Sequence, residues 1–243
     1  MDNSFIGIIL SAMATGLGAV PILFLDSING KLKCILLGFA SGVMMAATAF
    51  SLIPEALKAS NLLVLSIGML AGTIVLNYVN SKVSELDAGD IRFNPGIDRK
   101  TLIIVIAIML HNLPEGLSVG VSYGSGEDNL GTIIALAVGL QNAPEGFLVA
   151  IYLLSENISR IKSLLIAALT GAVEIVTGTI GYFLASKVDG LVPYGLSFAA
   201  GAMLFVIFKE LIPDSNERKE EKIPTYAFVL GLLAMLFLVH EFG

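Results

Sequence analysis

The sequence predicts an all-α membrane protein with eight transmembrane helices. Hydrophobic residues make up 56% of the 243-residue chain and charged residues only 14%, whereas soluble domains hold roughly 45–50% apolar and about 25% charged residues. Apolar runs of about 20 residues, the length that crosses a bilayer as a helix, recur along the whole chain. The composition therefore predicts a protein that crosses the bilayer many times.

The eight predicted spans are joined mostly by short loops and form a single transmembrane domain over residues 1–243. Residues 1–4 lack the basic segment of a signal peptide, so the first apolar run is interpreted as a retained span. Segment 81–100 combines glycine, proline and mixed charges, and is predicted to be a flexible cytoplasmic loop. The spans cover residues 4–25, 33–54, 61–80, 101–122, 130–154, 163–186, 192–212 and 224–242.

Positive charges segregate to alternate loops. Eleven of the 14 lysines and arginines fall in one set of loops, whereas the opposite set holds only Lys58 and Lys187. The positive-inside rule makes the first set cytoplasmic. With eight spans, both termini then lie on the extracytoplasmic side of the cell (inner) membrane. The chain has no basic stripe for nucleic acid, and Cys34 is its only cysteine, which excludes a disulfide framework and a cysteine metal cluster.

Two related motifs lie in the middle of apolar runs: HNLPEG at 111–116 and QNAPEG at 141–146. Carboxylates and histidine are costly in hydrocarbon and by default mark a functional site. Pro114 and Pro144 are predicted to break their helices, and the glycine that ends each motif to loosen them further. Matching breaks in neighbouring antiparallel spans predict a polar site near the bilayer midplane.

A second repeat has an offset of 159 residues. Residues 42–44 match 201–203, and Leu-Ile-Pro-Glu at 52–55 matches Leu-Ile-Pro-Asp at 211–214. The repeat relates spans one, two and three to spans six, seven and eight in inverted orientation, around the inverted pair of spans four and five. This three-two-three arrangement is typical of transporters. The alternative is chance similarity between helix-packing and helix-end residues.

The spacing of polar residues predicts a metal site. His111 and Glu115 are four residues apart and share one helix face, as do Gln141 and Glu145 on the next span. Each pair is able to hold one cation. Two close glutamates resist joint ionisation, and a divalent cation removes that penalty.

Further candidate ligands lie beside these pairs. Asn112 and Asn142 are adjacent to the same glutamates, so the two carboxylates are able to bridge two ions. Glu174 lies at the same depth in span six, either in the same cavity or in a structural hydrogen bond. Met45 lies at similar depth in span two, where its thioether is either a soft ligand or packing.

The donor set of imidazole, amide and carboxylate suits borderline divalent ions: zinc, iron, manganese or cadmium. The metal is expected as a substrate, and no organic cofactor is expected. Two rival functions are an intramembrane metal-dependent hydrolase and a proton-coupled carrier for an organic solute. The hydrolase is disfavoured because inverted repeats are not needed for hydrolysis and no HExxH pair is present. The solute carrier is disfavoured by the small set of polar residues at the midplane. Because the hydrolase is disfavoured as well, we predict a non-enzyme.

Charged residues near the span ends are candidates for the transport path. Glu55 and Asp214 are repeat mates, and are interpreted either as outer entrance and inner exit or as ordinary helix-end charges. Glu210 is either a ligand on the release path or the partner of Lys209 in an ion pair.

At these motifs the chain resembles the ZIP family of divalent metal transporters. With Gln141 in place of a second histidine, the motif of span five resembles that of the family's GufA-like bacterial branch. The resemblance implies import toward the cytoplasm, with zinc the favoured ion, by an elevator-like motion of spans one, four, five and six in a homodimer. It also implies that Ser51 lies on the entrance route. Lys209 and Val239 depart from the family pattern, which affects the exit route rather than the central site.

The resemblance further implies a binuclear site. The ligands of the first metal would be His111, Glu115, Gln141 and Glu145, with Met45 adjoining, and those of the second Asn112, Asn142, Glu115, Glu145 and Glu174.

Overall fold

The computed structural model describes residues 3–25, 29–88, 99–127, 129–216 and 222–242. In these ranges the regular secondary structure is helical, and eight helices are long and apolar enough to cross a membrane. This is the number of spans that the sequence predicts. The helices are α1 (Asn3–Ala19, continued by a 3-10 turn at Val20–Leu23), α2 (Gly30–Lys58), α3 (Leu62–Ala88), α4 (Arg99–Gly124), α5 (Leu130–Ser155), α6 (Arg160–Lys187), α7 (Val192–Ser215) and α8 (Ile223–Phe242).

The end of α3 differs from its prediction. The helix continues to Ala88, so the first part of the predicted loop 81–100 is helical. Lysine, glutamate, leucine and alanine in this stretch are good helix formers, and the first residue that opposes a helix is Gly89. Residues 89–98, the rest of the predicted loop before α4, lie outside the described residues.

The motif prolines do not break their helices. Helix α4 runs through Pro114 and α5 through Pro144 without interruption, so the predicted breaks are wrong. A proline removes one backbone hydrogen bond, but neighbouring helices and local adjustments of the backbone satisfy the freed groups in a membrane bundle. Each motif is therefore presented on a continuous helix.

Helices α2 and α7 do contain irregular turns, at equivalent places. A π-helical turn covers Thr48–Leu52 in α2 and Ile207–Leu211 in α7, again 159 residues apart. In each helix a proline, Pro54 or Pro213, follows the turn. A widened turn accommodates the proline ring, which would otherwise clash with the carbonyl four residues earlier. In each helix the turn lies between the two segments that the 159-residue repeat matches, and its last residue begins the second segment.

The helices pack in pairs that the repeat interchanges. Helix α4 packs along α6, and the counterpart of this pair is α1 along α5. Likewise, α2 packs along α8, and the counterpart of this pair is α3 along α7. A second type of contact, between α2 and α5, has its counterpart between α7 and α4. Each pair is converted into its counterpart by exchanging α1–α3 with α6–α8 and α4 with α5.

The repeat extends to single contacts. A Cβ atom added to Gly42 would lie 2.0 Å from the Phe228 carbonyl oxygen, and one added to Gly201 would lie 2.0 Å from that of Met69. Gly42 and Gly201 are 159 residues apart, and so are Met69 and Phe228. Small residues of this kind let membrane helices approach closely. These equivalences support the inverted three-two-three arrangement, which stays a prediction.

The outer faces of the bundle are apolar. On α3, Leu63 is 69% exposed and Leu70 is 61% exposed, and on α8, Leu233 is 52% exposed. Such side chains are expected to face lipid in a membrane-spanning bundle. The buried polar side chains lie instead inside the bundle, where α4 and α5 contact each other and α6.

Candidate functional site

The two motifs meet at the contact between α4 and α5. Glu115 and Gln141 are both fully buried, and Gln141 Nε2 donates a hydrogen bond of 2.7 Å to Glu115 Oε1. Their other oxygens, Glu115 Oε2 and Gln141 Oε1, have no hydrogen-bond partner among the residues that the structure describes. Buried polar atoms in proteins are nearly always paired, so unpaired acceptors call for a ligand or water.

Asn142 joins the third predicted acid to this contact. Its Nδ2 atom donates to both oxygens of Glu174 on α6, at 2.9 and 2.8 Å, and to the Ser11 carbonyl on α1 at 3.0 Å. Asn142 and Glu174 are buried, and Asn142 Oδ1 is a third acceptor with no partner in the described part of the chain. The structure thus places Glu174 beside Asn142 through hydrogen bonds, which is compatible with both interpretations of Glu174.

Asn112 occupies the equivalent place in the other half. Its Nδ2 atom donates to the Thr170 carbonyl on α6 at 2.9 Å, just as Asn142 donates to the Ser11 carbonyl on α1. Ser11 and Thr170 are 159 residues apart, and the asparagines are 30 apart. Each asparagine therefore fixes its motif to an equivalent helix.

The motif glycines are points of close helix approach. A Cβ atom on Gly116 would lie 2.5 Å from the Glu174 carbonyl oxygen, and one on Gly146 would lie 1.9 Å from that of Thr15. The prediction that these glycines loosen the helices is therefore replaced by a packing role. Thr15 and Glu174 are repeat mates at the same offset of 159. Sequence reasoning missed Thr15, although applying that offset to Glu174 would have found it.

His111 has its described contact outside the buried pair. Its imidazole Nε2 contacts the Glu210 carboxylate on α7, and Glu210 Oε1 also accepts a hydrogen bond of 2.7 Å from Asn80 Nδ2 on α3. His111 and Glu115, predicted to hold one cation together, thus have different partners here. These partners of Glu210 differ from the ion pair with Lys209, which was one of its two predicted roles; Lys209 is exposed.

The carboxylates lie close enough to interact. Glu115 is within electrostatic range of Glu145 and Glu174, and Glu174 is within range of Glu145. Glu145 is half-buried and also within electrostatic range of His111. Ionised carboxylates at such separations repel one another, and a divalent cation between them offsets that repulsion.

The remaining metal-site candidate, Met45, is half-buried and packs against the hydrophobic core. Within the described ranges, no three His, Cys, Asp or Glu side chains are arranged to hold one ion. His111 is turned toward Glu210, and three of the other candidates, Asn112, Gln141 and Asn142, are amides. The three glutamates, Gln141 and Asn142 are therefore gathered in one region, without the closed geometry of an occupied metal site.

The transport-path candidates lie at the helix ends. Ser51 and Glu55 line a cavity of about 370 Å³ together with Lys58, Glu127 and Val239, among others. Glu55 pairs with Lys58, and Ser51 Oγ is buried without a described partner. Asp214 is exposed near the end of α7. The contacts are compatible with either interpretation of Glu55 and Asp214.

A buried cluster of carboxylates and amides inside eight apolar helices is characteristic of an integral membrane transporter. The family model "ZIP Zinc transporter" matches residues 83–239. Over its full length the chain is 33% identical to the full-length zinc transporter GufA of Myxococcus xanthus. With 95% of the chain and 78% of the relative covered, it is 32% identical to the zinc transporter ZIPB of Bordetella bronchiseptica.

A match to the human zinc transporter ZIP11 has 36% identity, over 58% of this chain and 43% of that protein. The chain belongs to the ZIP family. The resemblance seen in the motifs is therefore confirmed, and so is the prediction of a metal-transporting membrane protein that is not an enzyme.

Proposed function

We propose that this protein carries divalent transition-metal cations across the membrane toward the cytoplasm through the cluster between α4, α5 and α6. Zinc is the favoured ion because the relatives are named zinc transporters. Cadmium, iron and manganese remain alternatives, since imidazole, amide and carboxylate donors suit all of these ions.

One observation carries the proposal. Glu115 Oε2, Gln141 Oε1 and Asn142 Oδ1 are three buried acceptors without partners among the described residues. All three belong to side chains on the two motif helices, which are joined by the bond between Gln141 and Glu115. A set of oxygens that lacks donors favours a cation rather than an anion or an apolar solute.

The cluster contains enough potential metal ligands for two ions. The first ion would be held by His111, Glu115, Gln141 and Glu145, with Met45 adjoining. The second would be held by Asn112, Asn142, Glu174 and the two shared glutamates. The mutual proximity of the three carboxylates supports such bridging.

The contact between His111 and Glu210 supports an alternating-access mechanism. His111 must leave Glu210 before its Nε2 atom is able to bind the first ion. Helix α4 carries His111, whereas Glu210 and Asn80 lie on α7 and α3. We propose that α1, α4, α5 and α6 move as an elevator past a scaffold of α2, α3, α7 and α8, and that this contact forms in the metal-free state.

Three further properties belong to the proposal. The protein forms a homodimer in the bilayer. Both termini lie outside, as the distribution of lysines and arginines indicates. Ser51 and Glu55 lie at the entrance and Asp214 at the exit, where the cavity beside Ser51 supports the first assignment.

Uptake of zinc into proteoliposomes tests the proposal. Glu115→Gln keeps the shape of the side chain and an oxygen that is able to accept the hydrogen bond from Gln141, but it removes the charge. We expect uptake to fall by about 100-fold, the upper end of the range for groups that only support a ligand, since the charge of a central and shared metal ligand is lost. Ser118→Ala is the matched control: its buried hydroxyl lies one turn away and, among the described residues, donates to the backbone carbonyl of Glu115 rather than to a side chain of the site. Normal uptake by folded Glu115→Gln would refute the assignment of the site.

A further inference from the structure

We infer that Thr15, on α1, is a further positioning residue of the metal site and holds the Glu174 carboxylate in place when a cation binds. The inference rests on the proposed function, because it assigns a role within the same site.

Thr15 is buried next to Glu174 with an unused hydroxyl. It is 2% exposed, and its Oγ1 atom has no hydrogen-bond partner among the residues described. The side chain fills the space left by Gly171 on α6, where an added Cβ atom would lie 2.7 Å from Thr15 Oγ1. Gly171 precedes Glu174 by one helical turn, and the Thr15 hydroxyl is within interaction range of the Glu174 carboxylate.

The backbone around Thr15 is held by two contacts with α5. The Thr15 carbonyl lies directly against Gly146, and the Ser11 carbonyl accepts a hydrogen bond from Asn142. Helix α1 is therefore positioned by the motif helix itself. Because the backbone is held, the hydroxyl turns toward Glu174 by rotation about the Cα–Cβ bond alone.

The Thr15 hydroxyl supplies a hydrogen-bond donor to Glu174 when a cation occupies the site. In this structure the Asn142 amide donates to both Glu174 oxygens. A cation held between Asn142 and Glu174 attracts the asparagine oxygen, so the amide is turned away from the carboxylate. The Thr15 hydroxyl is then the available donor to one carboxylate oxygen, leaving the other for the cation. Such hydrogen bonds to a ligand's free atom orient it and raise affinity.

The repeat adds an independent argument. Thr15 and Glu174 occupy equivalent positions in the two halves, each against a motif glycine. The interior of the site therefore has an acid on one side and a hydroxyl on the other. A neutral donor at this position supports the single acid without adding a further carboxylate to repel it.

Zinc binding to the purified protein, measured by calorimetry, tests the inference. Thr15→Val keeps the shape of the side chain but removes the hydroxyl, and is expected to weaken zinc binding about tenfold, within the range for partners of metal ligands. Thr15→Ser keeps the hydroxyl and is expected to restore binding. Thr73→Val is the matched control, because its hydroxyl bonds to the Gly201 carbonyl between α3 and α7, away from the site.

A double-mutant comparison separates positioning from packing. In a Glu174→Gln background, Thr15→Val should cause no further loss of zinc affinity, because the carboxylate that it positions is gone. An equal loss in both backgrounds would overturn the inference. So would wild-type affinity in Thr15→Val, or a Thr15→Ser variant as weak as Thr15→Val.

Two additional variants keep the outcomes distinct. If Thr15→Val does not fold, Thr15→Ala replaces it in both backgrounds, with the same expectations. Glu115→Gln reports on the proposed function: if it loses uptake while Thr15→Val binds zinc normally, only the role of Thr15 fails. If Glu115→Gln transports normally, the proposed site itself fails.

Discussion

The imidazole of His111 on α4 contacts the carboxylate of Glu210 on α7. This contact joins a predicted metal ligand to a helix outside the motif pair. Both side chains are mostly buried, with 17% and 24% of their surfaces exposed. Glu210 is therefore placed to compete with the metal for the Nε2 atom of His111.

Removing the charge of Glu210 should strengthen metal binding and slow release. In Glu210→Gln the partner of His111 becomes neutral, so the imidazole is freer to bind the ion. Partial exposure limits the strength of the original contact, and we expect zinc affinity to rise by roughly three- to tenfold. Maximal uptake should fall, because His111 no longer has an acidic partner when the ion leaves. Calorimetry and uptake kinetics check both changes.

Lys209→Ala is the control for this prediction. Lys209 is the sequence neighbour of Glu210 but is exposed, so its loss should leave zinc affinity unchanged. If Lys209→Ala reproduced the effect of Glu210→Gln, the relevant partner of Glu210 would be Lys209 rather than His111.

The two motif asparagines should not be equivalent. Asn142 donates to Glu174 and to a backbone carbonyl, whereas among the described residues Asn112 donates to a backbone carbonyl alone, that of Thr170. Asn142→Ala leaves a buried carboxylate without its donor, which costs about 1–3 kcal/mol or more. We expect a larger drop in Tm for Asn142→Ala than for Asn112→Ala, measured by unfolding in detergent micelles.

Neutralising Glu174 should reverse most of this difference. In Asn142→Ala the added substitution Glu174→Gln removes the buried charge, so thermal stability should recover although zinc binding does not. Equal Tm values for the two single asparagine variants would contradict the prediction.

Gly116 should not tolerate a methyl group. In Gly116→Ala the new Cβ atom would meet the backbone of Glu174 at 2.5 to 2.6 Å, which pushes α6 and its acid away from α4. Overpacking of this kind costs about 1–3 kcal/mol, and we expect a lower Tm together with weaker zinc uptake.

Gly139→Ala provides a matched comparison on the neighbouring motif helix. The nearest atom to its new Cβ is 3.7 Å away, at Ser11 Cα, which is an ordinary contact. Stability and uptake should remain close to wild type. Loss of uptake in Gly139→Ala comparable to that in Gly116→Ala would show that the effect is not one of close approach.

Cysteine labelling tests the proposed orientation. Asp189, between α6 and α7, is predicted to lie outside, and Ser159, before α6, to lie inside; both are exposed. In a Cys34→Ala background, an impermeant maleimide should label Asp189→Cys but not Ser159→Cys in intact cells. The opposite labelling would place both termini in the cytoplasm.

Much of the candidate site follows from the sequence because hydrocarbon penalises polar groups. Glu115, Glu145 and Glu174 stand out in apolar runs for that reason alone, and the structure does bring them into one interior region. The helix breaks at Pro114 and Pro144 were predicted wrongly, because the cost of a proline depends on whether neighbouring helices satisfy the freed backbone groups.

The partners of these residues were less predictable. His111 and Glu115 share a helix face at a spacing of four, which indicated a common ligand. The spacing carries no information about α7, whose Glu210 is 99 residues away in sequence and contacts His111 only after the helices pack. Thr15 carries no charge, so it gave no signal of its own in an apolar run.

By itself the sequence determined the membrane class, the number of spans and the family, because apolar length, residue spacing and motif identity are local properties of the chain. Tertiary structure decided which polar atoms pair and which remain free. In the described part of the chain, the oxygens of Glu115, Gln141 and Asn142 and the hydroxyl of Thr15 lack partners where α1, α4, α5 and α6 approach closely at their glycines. A hydrogen bond needs a donor at a set distance and angle, and only the packed helices supply that geometry.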